Sequence, residues 1–124
     1  MRGSLGSSTI NEIDFEKGGG LAPAIAQDVK TGKVLMMAYM NQQALEITLK
    51  EGRACYWSRS RKELWRKGAT SGDVQIVREV LIDCDMDTIL LMVDQQGEGA
   101  CHTKKWSCFF RRINQEGEIK EIES

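Results

Sequence analysis

"VQIVREVLIDCDMDTILLMVDQ", residues 74–95, decides the fold class. Its first half sets Val74, Ile76, Val80, Ile82 and Cys84 on one side at period two, with Gln75 and Glu79 opposite. That alternation predicts a strand with one wet face. "TILLMVDQ" (88–95) reads as a second strand, and "IDCDMD" (82–87) crowds three aspartates and a cysteine at the strand end between them. Working outward, "APAIAQDV" (22–29) and "KVLMMAYM" (33–40) flank the turn signal "KTG" and predict a β-hairpin. Asn41 caps "QQALEITLKEG" (42–52), where Ala44, Leu45, Thr48 and Leu49 fall at helical spacing and Gly52 supplies the stop. "ACYWS" (54–58) and "WSCFFRRI" (106–113) read as strands, and "INQEGEIKEI" (113–122) as a polar hairpin or frayed end. Residues 59–73 carry charge and glycine without a clean period, and are expected to form a functional loop with one helical turn.

Strands dominate and one helix is clear, so the expected class is α+β: a small β-rich domain on a mixed or antiparallel sheet with one main helix. A length of 124 residues suits one domain, expected over 16–113 after a flexible leader (1–15, in part a cloning remnant) and before a tail (114–124). The formal net charge of −1 favours no anionic or cationic partner, so any recognition of anions must come from local clusters. No apolar run approaches the ~18 residues of a membrane span, and the opening lacks a secretory apolar stretch. A cytoplasmic protein without a membrane partner is expected. In that reducing compartment four cysteines are expected to be buried, metal-bound or reactive, not paired as disulfides.

On a strand Asp83, Asp85 and Asp87 share one face, roughly 7 Å apart, while Cys84 and Met86 take the other. Three carboxylates so placed repel unless a cation sits among them, and a hard divalent ion, Mg²⁺ by preference, fits oxygen donors best. The plainer alternative is a solvated acidic turn. A calcium loop is excluded: Thr88 stands where the sharp turn needs glycine, and "ILLMV" is strand-like.

"ACHTKKWSC" (100–108) holds Cys101, His102 and Cys108. C-x6-C is not a compact zinc knuckle, and buried unligated cysteine is the commoner fate. Yet three thiolates with an open fourth position are the arrangement of a catalytic zinc, at which hydroxide forms near neutral pH. His102, the only imidazole, is the candidate catalytic proton carrier; a closed Cys₃His site with His102 as fourth ligand stays open. Cys55 is expected in the core. Because Cys84 points away from the aspartate face, a second copy of the chain is the simplest way to bring it to Cys101 and Cys108. The expected partner is therefore a homodimer mate.

Between 53 and 67 lie six basic residues (Arg53, Arg59, Arg61, Lys62, Arg66, Lys67) against Glu63 alone, a local anion site. Arginine grips phosphate bidentately, "GATSG" (68–72) offers backbone and hydroxyl donors, and Trp57 and Trp65 can stack on a base. Candidate substrate contacts are Trp57, Arg59, Ser60, Arg61, Trp65, Lys67, Thr70, Ser71 and Gly72, for a phosphorylated ligand. A solvated basic face with both tryptophans in the core is the alternative.

"VLMMAYMNQQAL" (34–45), "YWSRSRKELWRKGATSG" (56–72), "IDCDMD" and "CHTKKWSCFFR" (101–111) together resemble the phosphoribosyl-AMP cyclohydrolase family of histidine biosynthesis. The resemblance implies a homodimeric zinc enzyme, magnesium-dependent, that opens the adenine ring of 1-(5-phosphoribosyl)-AMP at the N1–C6 bond. It implies Mg²⁺ on Asp83, Asp85 and Asp87, and one Zn²⁺ per subunit on Cys101, Cys108 and the Cys84 of the other subunit. It implies a purine nucleotide substrate and no nucleic-acid partner. Some relatives carry a fused pyrophosphohydrolase domain; with about thirteen residues after "CFFR", a monofunctional chain is expected. The competing readings are a structural zinc module binding single-stranded nucleic acid, disfavoured by the acidic triplet, and a magnesium phosphohydrolase with incidental cysteines. The H-x-E and P-C-x-x-C signature of nucleobase deaminases is absent.

Overall fold

The computed structural model describes residues 9–123. Its elements are β1 (Ala22–Asp28), β2 (Val34–Met40), α1 (Gln42–Glu51), β3 (Cys55–Ser58), β4 (Glu63–Arg66), β5 (Gln75–Ile82), β6 (Ile89–Gln95), β7 (Arg111–Ile113) and β8 (Ile119–Glu121). Six strands form one sheet in the order β4-β3-β2-β1-β6-β5, and β7 pairs with β8. β1 and β6 run parallel and the other pairs antiparallel, so the sheet is mixed. This is the small β-rich domain with one helix that the sequence predicts.

Local chemistry sets the turns. The Asp28 carboxylate accepts from the Thr31 amide (3.1 Å) and hydroxyl (2.7 Å), closing the β1–β2 hairpin. Asn41 accepts from the Ala44 amide at 2.8 Å to start α1, and Gly52, at φ 72°, ends it. Thr48 donates to the Ala44 carbonyl and accepts from the Cys55 amide, both at 2.9 Å, stapling the helix to β3. The core takes Ala22, Ala24 and Ala26 from β1, Leu35, Met36 and Met40 from β2, Ile89, Leu91 and Val93 from β6, and Cys55 and Tyr56 from β3. Each buried Leu, Ile or Met contributes about 1.5–3 kcal/mol.

The sheet also curls back on itself. Arg53 bridges Ile76, the Ala54 amide donates to the Gln75 carbonyl (3.0 Å), and the Val77 amide to the Gly52 carbonyl (2.9 Å). Inside the curl runs a buried polar chain. The Tyr56 hydroxyl donates to Gln75 Oε1 (2.5 Å), Gln75 Nε2 to Gln95 Oε1 (3.0 Å), and Gln95 Nε2 to the Asp73 carbonyl (3.1 Å). Buried polar groups persist in a core when each finds a partner, as these do.

Several expectations are corrected. The continuous period-two face of β5 is broken by a bulge between Val77 and Glu79, so Gln75, Val77 and Val80 turn inward while Leu81 and Ile82 are exposed. The strand ends at Ile82, and 83–88 form a turn, so Asp83, Asp85 and Asp87 do not alternate on a strand face. Residues 63–66, expected in a loop, form the edge strand β4 against β3. "WSCFFRRI" is strand only over Arg111–Ile113; the stretch before it is held by the Cys108 amide donating to the Leu35 carbonyl (2.7 Å). Leu49, expected on the buried helix face, is 50% exposed. The expected tail pairs in part, as β8. Of the leader, 1–8 lie outside the described residues, whereas Ile10 and Ile13 pack on the core and Phe15 is buried. Among the described residues no helix is long and apolar enough to cross a membrane.

Candidate active site

The β5–β6 turn gathers the three carboxylates more tightly than a strand face would. One oxygen from each of Asp83, Asp85 and Asp87 lies within 4.8 Å of the others. Asp83 builds the turn: its Oδ1 accepts from the Asp87 amide (3.0 Å) and the Thr88 amide (3.1 Å). The Asp87 amide first, then that of Thr88, holds the Asp83 carboxyl below its ordinary range, with burial opposing. Met86, at φ 63°, occupies the left-handed region that lets the chain reverse between Asp85 and Asp87. The Lys17 ammonium lies against this group, 2.6 Å from Asp87 Oδ2 and 3.4 Å from Asp85 Oδ2. Crowded carboxylates with a cation on them are a donor set that fits a hard ion such as Mg²⁺.

The second donor set lies beyond the other end of β6. Gly99 (φ 127°) starts a tight reversal in which a Cβ would stand 2.5 Å from Trp106 Cα, so only glycine closes it. The Ala100 amide donates to the Trp106 carbonyl (2.9 Å) and the Cys101 amide to the Lys105 carbonyl (3.1 Å). Ser107 donates to the Val34 carbonyl at 2.8 Å, which fixes the approach of Cys108. The thiols of Cys101 and Cys108 lie close enough for each to shift the ionisation of the other. Burial opposes ionisation of Cys101, but the Thr103 hydroxyl at 2.9 Å, the Thr103 and Lys105 amides and Cys108 outweigh it, so this thiol sits below its ordinary range. Cys108 is pushed up to about 11, first by burial and then by the neighbouring Cys101 charge. Two neighbouring thiols, one held below and one above the ordinary thiol range, are a donor pair that fits a soft cation.

Two buried groups brace this loop. Lys67 donates to the Ala100 carbonyl at 2.6 Å, and the Asp73 carboxylate accepts from the Glu98 amide at 2.9 Å. Burial lowers the Lys67 ammonium, partly countered by Asp73, Cys108 and Cys101. The Glu98 amide lowers the Asp73 carboxyl against the effect of burial, with Lys104 and Ser71 adding to it.

An open cleft of about 540 Å³ lies over β2, β3 and β4, lined by Tyr39, Trp57, Arg59, Ser60, Arg61 and Trp65 among others. The Arg59 guanidinium stacks 4.1 Å from the centre of the Tyr39 ring, and Trp65 lies 5.4 Å from the Tyr56 ring. The cleft therefore offers aromatic faces and cationic tips together, as a phosphorylated aromatic ligand requires.

Of the expected substrate contacts, Trp57, Arg59, Ser60, Arg61 and Trp65 converge here. Lys67 instead turns inward to Ala100, and Thr70, Ser71 and Gly72 lie on the exposed turn after β4. Arg66 is taken by Glu51, with contacts of 2.9 and 3.1 Å. His102 is exposed beside Cys101. Cys84 is exposed on the carboxylate turn and, among the described residues of one chain, forms no three-ligand group with Cys101 and Cys108. Sequence reasoning missed Lys17 at the carboxylates, 68 residues away in the chain, and Tyr39 beneath Arg59, neither of which announces itself by spacing.

One chain thus carries an aromatic, arginine-tipped cleft, a three-carboxylate turn and a paired-cysteine loop, a set of parts that suits an enzyme better than a passive binding module. Comparison with known proteins places that enzyme among the cyclohydrolases. The chain belongs to the phosphoribosyl-AMP cyclohydrolase family, whose model matches residues 36–110. It is similar to phosphoribosyl-AMP cyclohydrolases of Desulforapulum autotrophicum (62% identical; 82% of this chain and 82% of that one) and Chloroherpeton thalassium (61%; 89% and 77%). The likeness to that of Chlorobium chlorochromatii, 54% identical, spans 97% of this chain and 88% of the relative.

Proposed function

We propose that this chain hydrolyses the adenine ring of 1-(5-phosphoribosyl)-AMP at the N1–C6 bond, a step of histidine biosynthesis, as a homodimer holding one zinc and magnesium in each site. The observation that carries the reading is the aromatic, arginine-tipped cleft on a chain with a paired-thiol loop and a three-carboxylate turn. Cys101 and Cys108, with Cys84 of the second copy, would hold zinc, and Asp83, Asp85 and Asp87 would hold magnesium. Bound zinc supplies Lewis acidity that makes a water nucleophilic at neutral pH.

The chain's own residues do the rest. Trp57 and Trp65 offer faces to the purine, and Arg59 and Arg61 offer guanidinium groups to the two phosphates. A ribosyl group on N1 makes the ring cationic and C6 electrophilic. Water adds at C6, the N1–C6 bond breaks, C6 becomes a carboxamide with its exocyclic nitrogen, and N1 gains a proton as part of a formamidine still joined to C2. His102, exposed beside Cys101, takes the proton from water and returns one to N1.

Purified protein given the substrate should show the ultraviolet change of ring opening, lost on thiol-selective chelation and restored by added Zn²⁺. Turnover that survives complete chelation defeats the zinc reading. The two-copy site has its own test, mixing Cys84→Ser with Cys101→Ser. Each alone is inactive, but randomly reassorted pairs rebuild one intact site in half the dimers, about a quarter of full activity. No recovery after verified subunit exchange defeats the shared site.

A further inference from the structure

The carboxylate turn already carries a cation belonging to the protein. Both contacts of Lys17 use Oδ2 atoms, 2.6 Å to Asp87 and 3.4 Å to Asp85, while Asp83 spends an oxygen on the turn amides. Lys17 is placed there by the segment before β1. Its own amide donates to Asp14 Oδ1 (3.1 Å), and the Asp14 amide donates to the Met86 carbonyl (2.7 Å). Ile10 and Ile13 pack on the core beside this attachment and Phe15 is buried. The ammonium is thus held by a built support reaching across to the turn.

We infer that Lys17 is a resident counter-cation of the carboxylate site, which an incoming divalent ion must displace. An ammonium and a metal ion compete for the same lone pairs, because an ion held by Asp85 and Asp87 draws on oxygens that Lys17 now occupies. With the ammonium in place, three mutually repelling carboxylates are partly neutralised and the turn keeps its shape before loading. On loading, Lys17 swings into solvent while the Asp14–Met86 contact and the buried Ile13 and Phe15 keep the segment docked. The inference rests on the magnesium reading of Asp83, Asp85 and Asp87.

The test is calorimetric titration with Mg²⁺ at one pH and ionic strength, on the full chain and on the Lys17→Met, Lys17→Arg and Asp85→Asn variants. Lys17→Met should bind Mg²⁺ about two- to five-fold tighter, the scale of an exposed ion pair. Lys17→Arg should bind like the parent chain, and Asp85→Asn should lose most binding. In parallel, reductive methylation mapped by mass spectrometry should modify Lys17 faster once Mg²⁺ is present. Parent binding with Lys17→Met equal or weaker, or Lys17 labelling unmoved by a saturating ion, overturns the counter-cation role and leaves the metal site standing. Absence of Mg²⁺ binding to every variant overturns the metal site and the inference with it.

Discussion

Replacing Lys67 by methionine isolates the link between the aromatic cleft and the cysteine loop. The side chain leaves the residue just after β4, passes 5.8 Å from the Trp65 ring, and ends on the Ala100 carbonyl at 2.6 Å. The residue is only 8% exposed, and Ala100 only 3%. A hydrogen bond from a charged donor contributes about 1.5–3 kcal/mol. Methionine keeps the apolar stem, so no large cavity opens, and losing the buried charge returns part of the desolvation cost. The carbonyl left unpaired sets the net loss at about 1–2 kcal/mol. For a chain of this length that is a fall in Tm of roughly 4–8 °C.

The loss is local, so the sharper assay is thiol labelling of chelator-treated protein, resolved by residue. Cys101, 4% exposed, should react about five- to thirty-fold faster as the loop opens, while Cys55, fully buried between α1 and β4, stays protected. The pH dependence has a definite sign. Burial lowers the Lys67 pKa below 10.5, so the folded chain releases this proton before the unfolded chain does. The parent protein therefore gains stability relative to the variant as pH rises from that lowered value towards 10.5, and shows no such gain well below it. Unchanged Cys101 labelling, or a relative stability that falls over that interval, would refute the bracing role.

Tyr56→Phe removes one hydroxyl from the buried chain without changing shape and leaves Gln75 Oε1 without its 2.5 Å donor. Urea unfolding should show about 1–2 kcal/mol of lost stability at unchanged m, with ring-opening turnover retained, since the Tyr56–Trp65 packing survives. Gly68→Ala should be worse: at φ 81° its Cβ would lie 2.3 Å from the Val74 nitrogen, so backbone must move. A loss of at least about 2 kcal/mol in the same assay, with a raised KM as the segment after β4 shifts, is expected.

The elements fixed by local chemistry are those the sequence displays openly. The β1–β2 hairpin and α1 are written in "KTG", Asn41 and Gly52, each acting on neighbours within a few residues. What the sequence hides depends on partners far away. β4 carries a glutamate, a tryptophan and an arginine in four residues and looks like a loop, but its pairing needs only β3 on one side, and an edge strand tolerates charge. The bulge at Arg78 is invisible in an apolar pattern, because Leu81 and Ile82 stay apolar on the face that the shift turns outward.

The same reasoning explains why the candidate site was half legible. Residue type announces donor chemistry, so three aspartates within five positions and two cysteines across a tight reversal are recognisable before any coordinate is known. Residue type does not announce which charges are already spent. Arg66 is balanced by Glu51, Lys67 by a carbonyl 33 residues away, and Lys17 by Asp87 and by Asp85, the latter 68 residues away. Of the six basic residues between 53 and 67, only Arg59 and Arg61 line the cleft. A local excess of positive charge therefore overstates the anion site several-fold until the ion pairs are assigned, and the acidic turn looks more repulsive than it is for the same reason. The shape of this site is set less by how many charges the sequence supplies than by which of them the fold leaves without a partner.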